Sequence, residues 1–269
     1  MARTFSALAV LLLLAGAATA EDKKVIIRWH GQSFFEIIST KGTRIVTDPH
    51  AIEEYGRQPI KADLVLMTHF HVDHTRTDLI TNIKQAKQIN ALKKGEGNRV
   101  DWNVLDEKFK DVRIQTVGTF HDDMAGTVRG KNGVFIIDVD GLRIVHLGDL
   151  GHVLKGEQIR KILKNDDKPR ERRPVDVLLI PVGGVYTING IDAQKVVEQL
   201  KPTRYIVPMH YGTRVYNDLL DLTYFLEDQK MGTVKKTLTT NELTIDPKED
   251  PPKEPIIAIL GWEKKGKKE

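Results

Sequence analysis

The sequence predicts a mixed α/β (α+β) chain in which two β-sheets pack face to face with helices outside them. Three observations carry that expectation. Short β-branched and aromatic runs come first, helical stretches are interspersed after them, and the same order returns in the second half without an exact repeat. The run Asp63-Leu64-Val65-Leu66-Met67 is apolar without polar alternation, as expected of a strand covered on both faces. Val175 to Pro181, a helix capped by Asp192 and running to Leu200, and Arg204 to Pro208 read as a strand-helix-strand unit.

Taken in order, Lys24 to Trp29, Ser33 to Ile38 and Arg44 to Thr47 form an antiparallel meander. His30-Gly31-Gln32 and Lys41-Gly42 make its turns, and Asp48-Pro49 ends it. Thr77 to Leu92 is expected to be helical. Lys93 to Lys110 is polar, carries Trp102 and has no clear period, so it reads as an insertion or lid. Val112 to Val117 and Gly133 to Val139 resume strand patterning, and Asp140-Gly141 is a two-residue hairpin signal leading into Leu142 to Leu147. Lys155 to Lys164 suits a helix, and Asn165 to Pro174 a charged loop. Leu219 to Asp228 suits another helix and Val234 to Ile245 more strand. A Pro- and Lys-rich loop then precedes a last strand at Ile256 to Leu260.

Composition excludes several classes. With 40% hydrophobic and 29% charged residues in 269, the chain can bury a core, which argues against disorder, collagen-like repetition and a membrane bundle. Forty-one Lys and Arg against 37 Asp and Glu give +4, too small and too dispersed for a nucleic-acid footprint. There is no cysteine, so disulfides, thiolate zinc sites and cysteine nucleophiles are excluded together, and any metal must be held by His and carboxylates. Arg3, the apolar run Ala7 to Ala15 and Ala18-Thr19-Ala20 before Glu21 read as a cleavable secretory signal over residues 1–20, too short for a spanning helix. Its removal takes away Arg3 and no acid, leaving 249 residues with +3 and a periplasmic or secreted location. The expected layout is one domain over residues 21–262 and a solvated Lys-rich tail over 263–269.

The strongest chemical signal is Thr68-His69-Phe70-His71-Val72-Asp73-His74, directly after the buried strand. His69 and His71 are two apart, so in extended backbone both face one side and can grip one ion, while Asp73 and His74 follow where the chain turns. His121, Asp149 and His210 each follow an apolar run and precede a turn. Singly, each suits a turn residue or a cap; beside the cluster, each is a candidate ligand.

With these residues in that order, the chain resembles the metallo-β-lactamase superfamily, whose His-x-His-x-Asp-His motif is followed downstream by a His, an Asp and a last His. Asp48, His69 to His74, His121, Asp149 and His210 match its five motif regions. Trp29-His30-Gly31-Gln32-Ser33-Phe34, Pro181-Val182-Gly183-Gly184 and Pro208-Met209-His210-Tyr211-Gly212 look most like the branch that contains L-ascorbate-6-phosphate lactonase. The resemblance covers roughly residues 24–245 and implies a four-layer αββα sandwich. It further implies that His69, His71 and His121 hold one metal, that Asp73, His74 and His210 hold a second, and that Asp149 bridges them. Two divalent ions, zinc first and manganese or iron as alternatives, would then activate a shared water, with Asp73 as the catalytic proton acceptor.

Around that set, Asp48 suits a carboxylate orienting a ligating His, or equally the cap of a turn before Pro49. Gly183-Gly184 suits close approach of backbone to substrate, or a plain tight turn. Tyr186, Thr187 and Tyr211 are candidate donors to substrate, and His152 a candidate near the ligands or substrate; His30, His50 and His146 read as structural. The functional expectation is an exported dinuclear hydrolase acting on a small, anionic ester, lactone or phosphodiester. The competing readings are a β-lactamase, a phospholipid hydrolase, for which no long amphipathic insertion is evident, and a non-catalytic metal-binding ligand sensor. A nuclease is disfavoured by export and dispersed charge.

Overall fold

A computed structural model describes residues 23–97, 99–227 and 234–261. The expected signal at 1–20 and the tail at 263–269 lie outside the described residues.

The opening meander forms as expected. β1 (Val25–Trp29), β2 (Phe35–Ile38) and β3 (Arg44–Thr47) pair antiparallel, and β1 alternates buried and half-buried side chains. The buried strand β4 (Leu64–Met67) adds parallel to β3, and β5 (Lys87–Asn90) parallel to β4. The expected helix over Thr77 to Leu92 therefore does not form. Thr77–Leu79 is one 3-10 turn, and pairing of Lys87–Asn90 with β4 overrides the local helical pattern.

Residues 93–110 are no free lid either. β6 (Leu92–Lys94) and β7 (Val100–Trp102) make a two-stranded sheet, and β8 (Asp106–Phe109) forms the edge of the larger sheet. Trp102 is the pin. Its Nε1 donates to the carbonyls of Thr119 and Asn132 at 2.9 and 3.1 Å, and its ring lies where a Cβ at Gly118 would come within 2.7 Å.

β9 (Val112–Phe120), β10 (Lys131–Val139) and β11 (Leu142–His146) pair antiparallel. The β10–β11 turn has positive φ at both Asp140 (50°) and Gly141 (84°), the backbone that the Asp-Gly pair predicts. β12 (Val177–Pro181) and β13 (Tyr205–Met209) continue in parallel. Helices α1 (Gly156–Ile162) and α2 (Gly190–Leu200) lie in the connections and bury Ile162, Ala193, Val196 and Leu200. α2 starts two residues before the expected cap: Asn189 accepts the Asp192 N–H, so Asp192 is inside the first turn. Of the expected helix over Leu219 to Asp228, only Thr223–Leu226 (α3) forms among the described residues. Val234 to Ile245 splits into β14 (Val234–Thr237) in the larger sheet and β15 (Glu242–Ile245) beside β1. β16 (Ile256–Ile259) runs between β13 and β14.

The result is a six-stranded sheet, β15-β1-β2-β3-β4-β5, packed on an eight-stranded one, β14-β16-β13-β12-β11-β10-β9-β8. One core cluster draws on both, from Val25 to Leu260. The sandwich and mixed class expected from the sequence are borne out. Ile162 of α1 and Ala193, Val196 and Leu200 of α2 join the same core cluster as the fully buried β12. Over the six-stranded sheet, Phe34, Val46, Val65 and Met67 pack instead under Leu79 and Ile80 of the 3-10 segment. No helix of the described residues is long and apolar enough to cross a membrane.

Candidate metal centre

Four strand ends deliver the candidate ligands to one edge of the sandwich. His69 to His74 follow β4, His121 follows β9, Asp149 follows β11 and His210 follows β13. The chain turns sharply at each. Val72–His74 is a 3-10 turn that swings Asp73 and His74 back after His71, and His210 takes a positive φ of 49°. A non-glycine residue in that region is held there by its surroundings.

All seven expected ligands come together. His69, His71 and His121 form one group of donor atoms within 4.8 Å of each other; His69, His74 and Asp149 form another; Asp73, His74 and His210 form a third. Asp149 sits between them: its Oδ2 lies 3.2 Å from His74 Nε2, 3.3 Å from His121 Nε2 and 3.2 Å from His210 Nε2. His69 Nε2 and His71 Nδ1 face each other at 3.1 Å. Asp73 Oδ2 is 3.6 Å from His74 Nε2, and its side chain is 40% exposed against 3% for Asp149, so Asp73 forms the open side.

The hydrogen bonds behind this cluster settle the tautomer of His69. Asp48 Oδ1 accepts the Thr68 N–H at 2.8 Å and Oδ2 accepts the Thr68 hydroxyl at 2.9 Å. That hydroxyl has spent its proton, so at 3.0 Å it accepts from His69 Nδ1–H, which leaves the His69 Nε2 lone pair aimed into the cluster. Asp48 Oδ2 also stands 3.3 Å from His74 Nδ1. Asp48 thus orients ligands on both sides, and it holds a positive φ of 43° to do so.

Electrostatics separates the groups in opposite directions. Burial pushes His69 well below the usual imidazole range, and repulsion from His74 and His121 adds to it. For His74 burial acts downward too, but Asp149 and Asp48 override it and hold the ring well above its ordinary value. Burial alone would raise Asp149; His210 and His74, with hydrogen bonds from His121 and His210, hold it well below the carboxylate range. Four buried imidazoles around a buried carboxylate are a donor set that suits a cation. The residues fit a metal on a further ground: His74 Nε2 is buried in the centre with no partner at hydrogen-bonding geometry.

Three residues to which the sequence assigned no role brace the site. Ser33 Oγ donates to Asp149 Oδ1 at 3.1 Å. Asn132, fully buried, accepts the Asp149 N–H through Oδ1 and donates through Nδ2 to Thr119 Oγ1 and the Leu147 carbonyl. Thr68 links Asp48 to His69. Each is an ordinary polar residue without a spacing signal.

Other expected residues lie around the cluster. His152 Nε2 accepts the Phe120 N–H at 3.2 Å and braces the end of β9; no described contact ties it to a ligand. Gly184 has a positive φ of 58°, and a Cβ on Gly183 would come within 2.2 Å of the His210 carbonyl, so this loop lies against a ligand. Tyr186 is half exposed on the same loop. Tyr211 stacks flat on Trp29 at 5.4 Å and lines a groove with Ile259 and Leu260. A larger groove of about 830 Å³ runs past Met67, Phe70 and Thr75, flanking the motif without including a ligand. Tyr216, overlooked in the sequence, packs its ring against Tyr55 at 6.0 Å, and burial with the charge of Asp218 pushes its hydroxyl pKa up.

Comparison with known proteins points the same way. The Beta-lactamase superfamily domain matches residues 26–210. A UPF0173 metal-dependent hydrolase of Thermococcus onnurineus is 30% identical over 203 residues, covering 70% of this chain and 85% of that one. One from Thermoplasma acidophilum is 30% identical over 206 residues, with 72% and 85% covered. A solved structure from Thermotoga maritima, proposed to be a Zn-dependent hydrolase of the metallo-β-lactamase superfamily, is similar at a TM-score of 0.60 and 30% identity, over 88% of this chain and 98% of that one.

Proposed function

This chain belongs to the metallo-β-lactamase superfamily, among its UPF0173 metal-dependent hydrolases, and from that membership we propose that it is an exported dinuclear hydrolase of small anionic esters, lactones or phosphodiesters. The observation that carries the dinuclear reading is the pair of groups, His69/His71/His121 and Asp73/His74/His210, meeting at Asp149. In this reading the first three side chains would hold one divalent ion, the second three would hold another, and Asp149 would serve both. When bound, such a pair supplies hydroxide at neutral pH and polarises the bond under attack. Imidazole and carboxylate donors without thiolate suit zinc, with manganese or iron as alternatives.

The chain's own residues do the rest. Asp73, on the open side, accepts a proton from the attacking water and is placed to pass it to the leaving group. Asp48, Thr68 and Ser33 fix the orientation of His74, His69 and Asp149, so donors need not reorganise during reaction. Two carboxylates do not neutralise two dications, and the residual positive charge in a partly desolvated site favours an anionic substrate. The lactonase branch supplies the first substrates to try, a phosphorylated lactone among them.

The test is to purify the protein, measure bound metal, and assay lactones, phosphodiesters and β-lactams at several salt concentrations. Two metal equivalents and a preference for anionic over matched neutral substrates are expected. One equivalent, or preference for the neutral member at low salt, overturns the corresponding part. Export predicts a mature N-terminus at Glu21; cytoplasmic protein with Met1 intact removes it.

A further inference from the structure

We infer that Arg129 is a specificity-determining residue that binds an anionic group of the substrate, carboxylate or phosphate, at the mouth of the metal centre; this rests on the anionic-substrate reading above. Two loops converge there. One leaves ligand His121 directly, and Asp122 organises it: Oδ1 accepts the N–H groups of Met124 and Gly126, and Oδ2 those of Val128 and Arg129, at 2.7–3.0 Å. The other, Gly183 to Ile188, is tied to ligand His210 by the Gly183 N–H donating to the His210 carbonyl at 3.0 Å. His121 and His210 meet at Asp149, and their loops meet again through Arg129.

That second meeting is specific. Arg129 Nη2 donates to the Val185 carbonyl at 3.0 Å, and its guanidinium lies over the Tyr186 ring, 5.5 Å from the centroid. Val185 holds a φ of 57°, a region that a β-branched residue enters only under constraint, and Gly184 before it has 58°. The strained turn thus presents a carbonyl and a ring face to one guanidinium. Both contacts orient that group and neither neutralises it, since no described carboxylate ion-pairs with it. No further protein partner among the described residues takes its N–H groups, and the second N–H of Nη2 can pair with Nε or Nη1 on one edge of the planar group to meet an oxyanion in two-point fashion. The His121 N–H also donates to the carbonyl of Gly130, the residue after Arg129, at 3.0 Å. The cation therefore stands where the loops leaving His121 and His210 come together. The sequence offered no signal for it beyond a lone Arg in a Gly-rich loop.

Calorimetric titration of inorganic phosphate into metal-loaded protein tests this at about 10 mM ionic strength, where screening is weak. Wild type is compared with R129Q, R129K and R170Q, the last removing the same charge from an exposed loop remote from the centre. Expected are a tenfold or greater loss of affinity in R129Q, a smaller loss in R129K, which keeps charge without the fork, and none in R170Q, at constant metal content and Tm. Equal affinity in wild type and R129Q overturns the assignment and leaves the anionic reading standing. No phosphate binding by wild type sinks both. An equal loss in R170Q reduces the effect to net charge, and a fall in metal content or Tm in both Arg129 variants marks a structural brace; either result overturns the proposal.

Discussion

Asp48 shows how one residue serves several ligands. It bonds the backbone and hydroxyl of Thr68, through which it fixes His69, and it faces His74 Nδ1. Asp48→Asn keeps the shape but weakens the pull on both imidazoles, so affinity for divalent metal should fall by about 10–100-fold, as for other outer partners of ligating histidines. Competition against a fluorescent chelator measures it, and unchanged affinity would reduce Asp48 to a turn cap. His50 gives a pH dependence. Burial lowers its pKa to about 4 in the folded chain, against an ordinary value of 6.5 when unfolded. The unfolded state then binds the proton more readily, so stability is unaffected above about pH 6.5, falls between 6.5 and 4, and levels below. The loss is on the order of 3 kcal/mol. In urea unfolding of metal-stripped protein, H50Q should show a shallower acid slope than wild type; equal slopes would place the acid sensitivity elsewhere. The convergence of the candidate ligands was legible because closely spaced His and Asp at strand ends are the pattern a metal site requires. Ser33, Asn132 and Arg129 were not, because what they do depends on which loop the fold brings opposite them.

At the scale of elements, legibility followed how local the determinant was. The meander, the Asp140-Gly141 hairpin and the buried β4 were readable, since turn residues and unbroken apolar runs lie within each segment. The Thr77 to Leu92 helix failed because β4 recruits residues 87–90 as a parallel neighbour, an interaction across some twenty positions of chain. Residues 93–110 looked structureless because their strands are short and lie at an edge, where no regular alternation is imposed. Gly133 in β10 marks a junction that pattern reading passes over. Its N–H donates to the Thr68 carbonyl at 3.1 Å, and a Cβ there would stand 2.2 Å from that of Ala91. Gly133→Ala should therefore force β10 away from the segment that carries His69. The expected cost is about 1–3 kcal/mol of stability, as for other overpacking substitutions, together with weaker metal binding. Thermal melts with and without metal read both, and a variant as stable as wild type would show that the two sheets have slack at this joint.

The whole molecule has its ligands spread from residue 69 to residue 210, on ends of strands from both sheets. Unfolding separates them, so metal binds the native state far better than the unfolded chain. The binding free energy therefore adds to folding, as RT ln(1 + [M]/Kd), about 2.7 kcal/mol when metal is at 100 times its Kd. Without a cation, burial of four imidazoles around Asp149 must be balanced by protons alone, and His74 and Asp149 are displaced far from their ordinary values. Chelation should lower Tm by roughly 5–10 °C, from about 2–4 °C per kcal/mol for chains of this size. Tm should also rise with the logarithm of added metal concentration until solubility limits it. The loss should be smaller at pH 6 than at pH 8, because protons compete with metal for the same imidazoles and weaken its binding. Asp149→Asn provides the control: it should bring the metal-bound Tm close to the stripped one while leaving the sheets formed by far-ultraviolet circular dichroism. If stripped and loaded wild type melt together across this pH range, the cluster is not a metal centre that the fold depends on, and the dinuclear reading loses its physical basis.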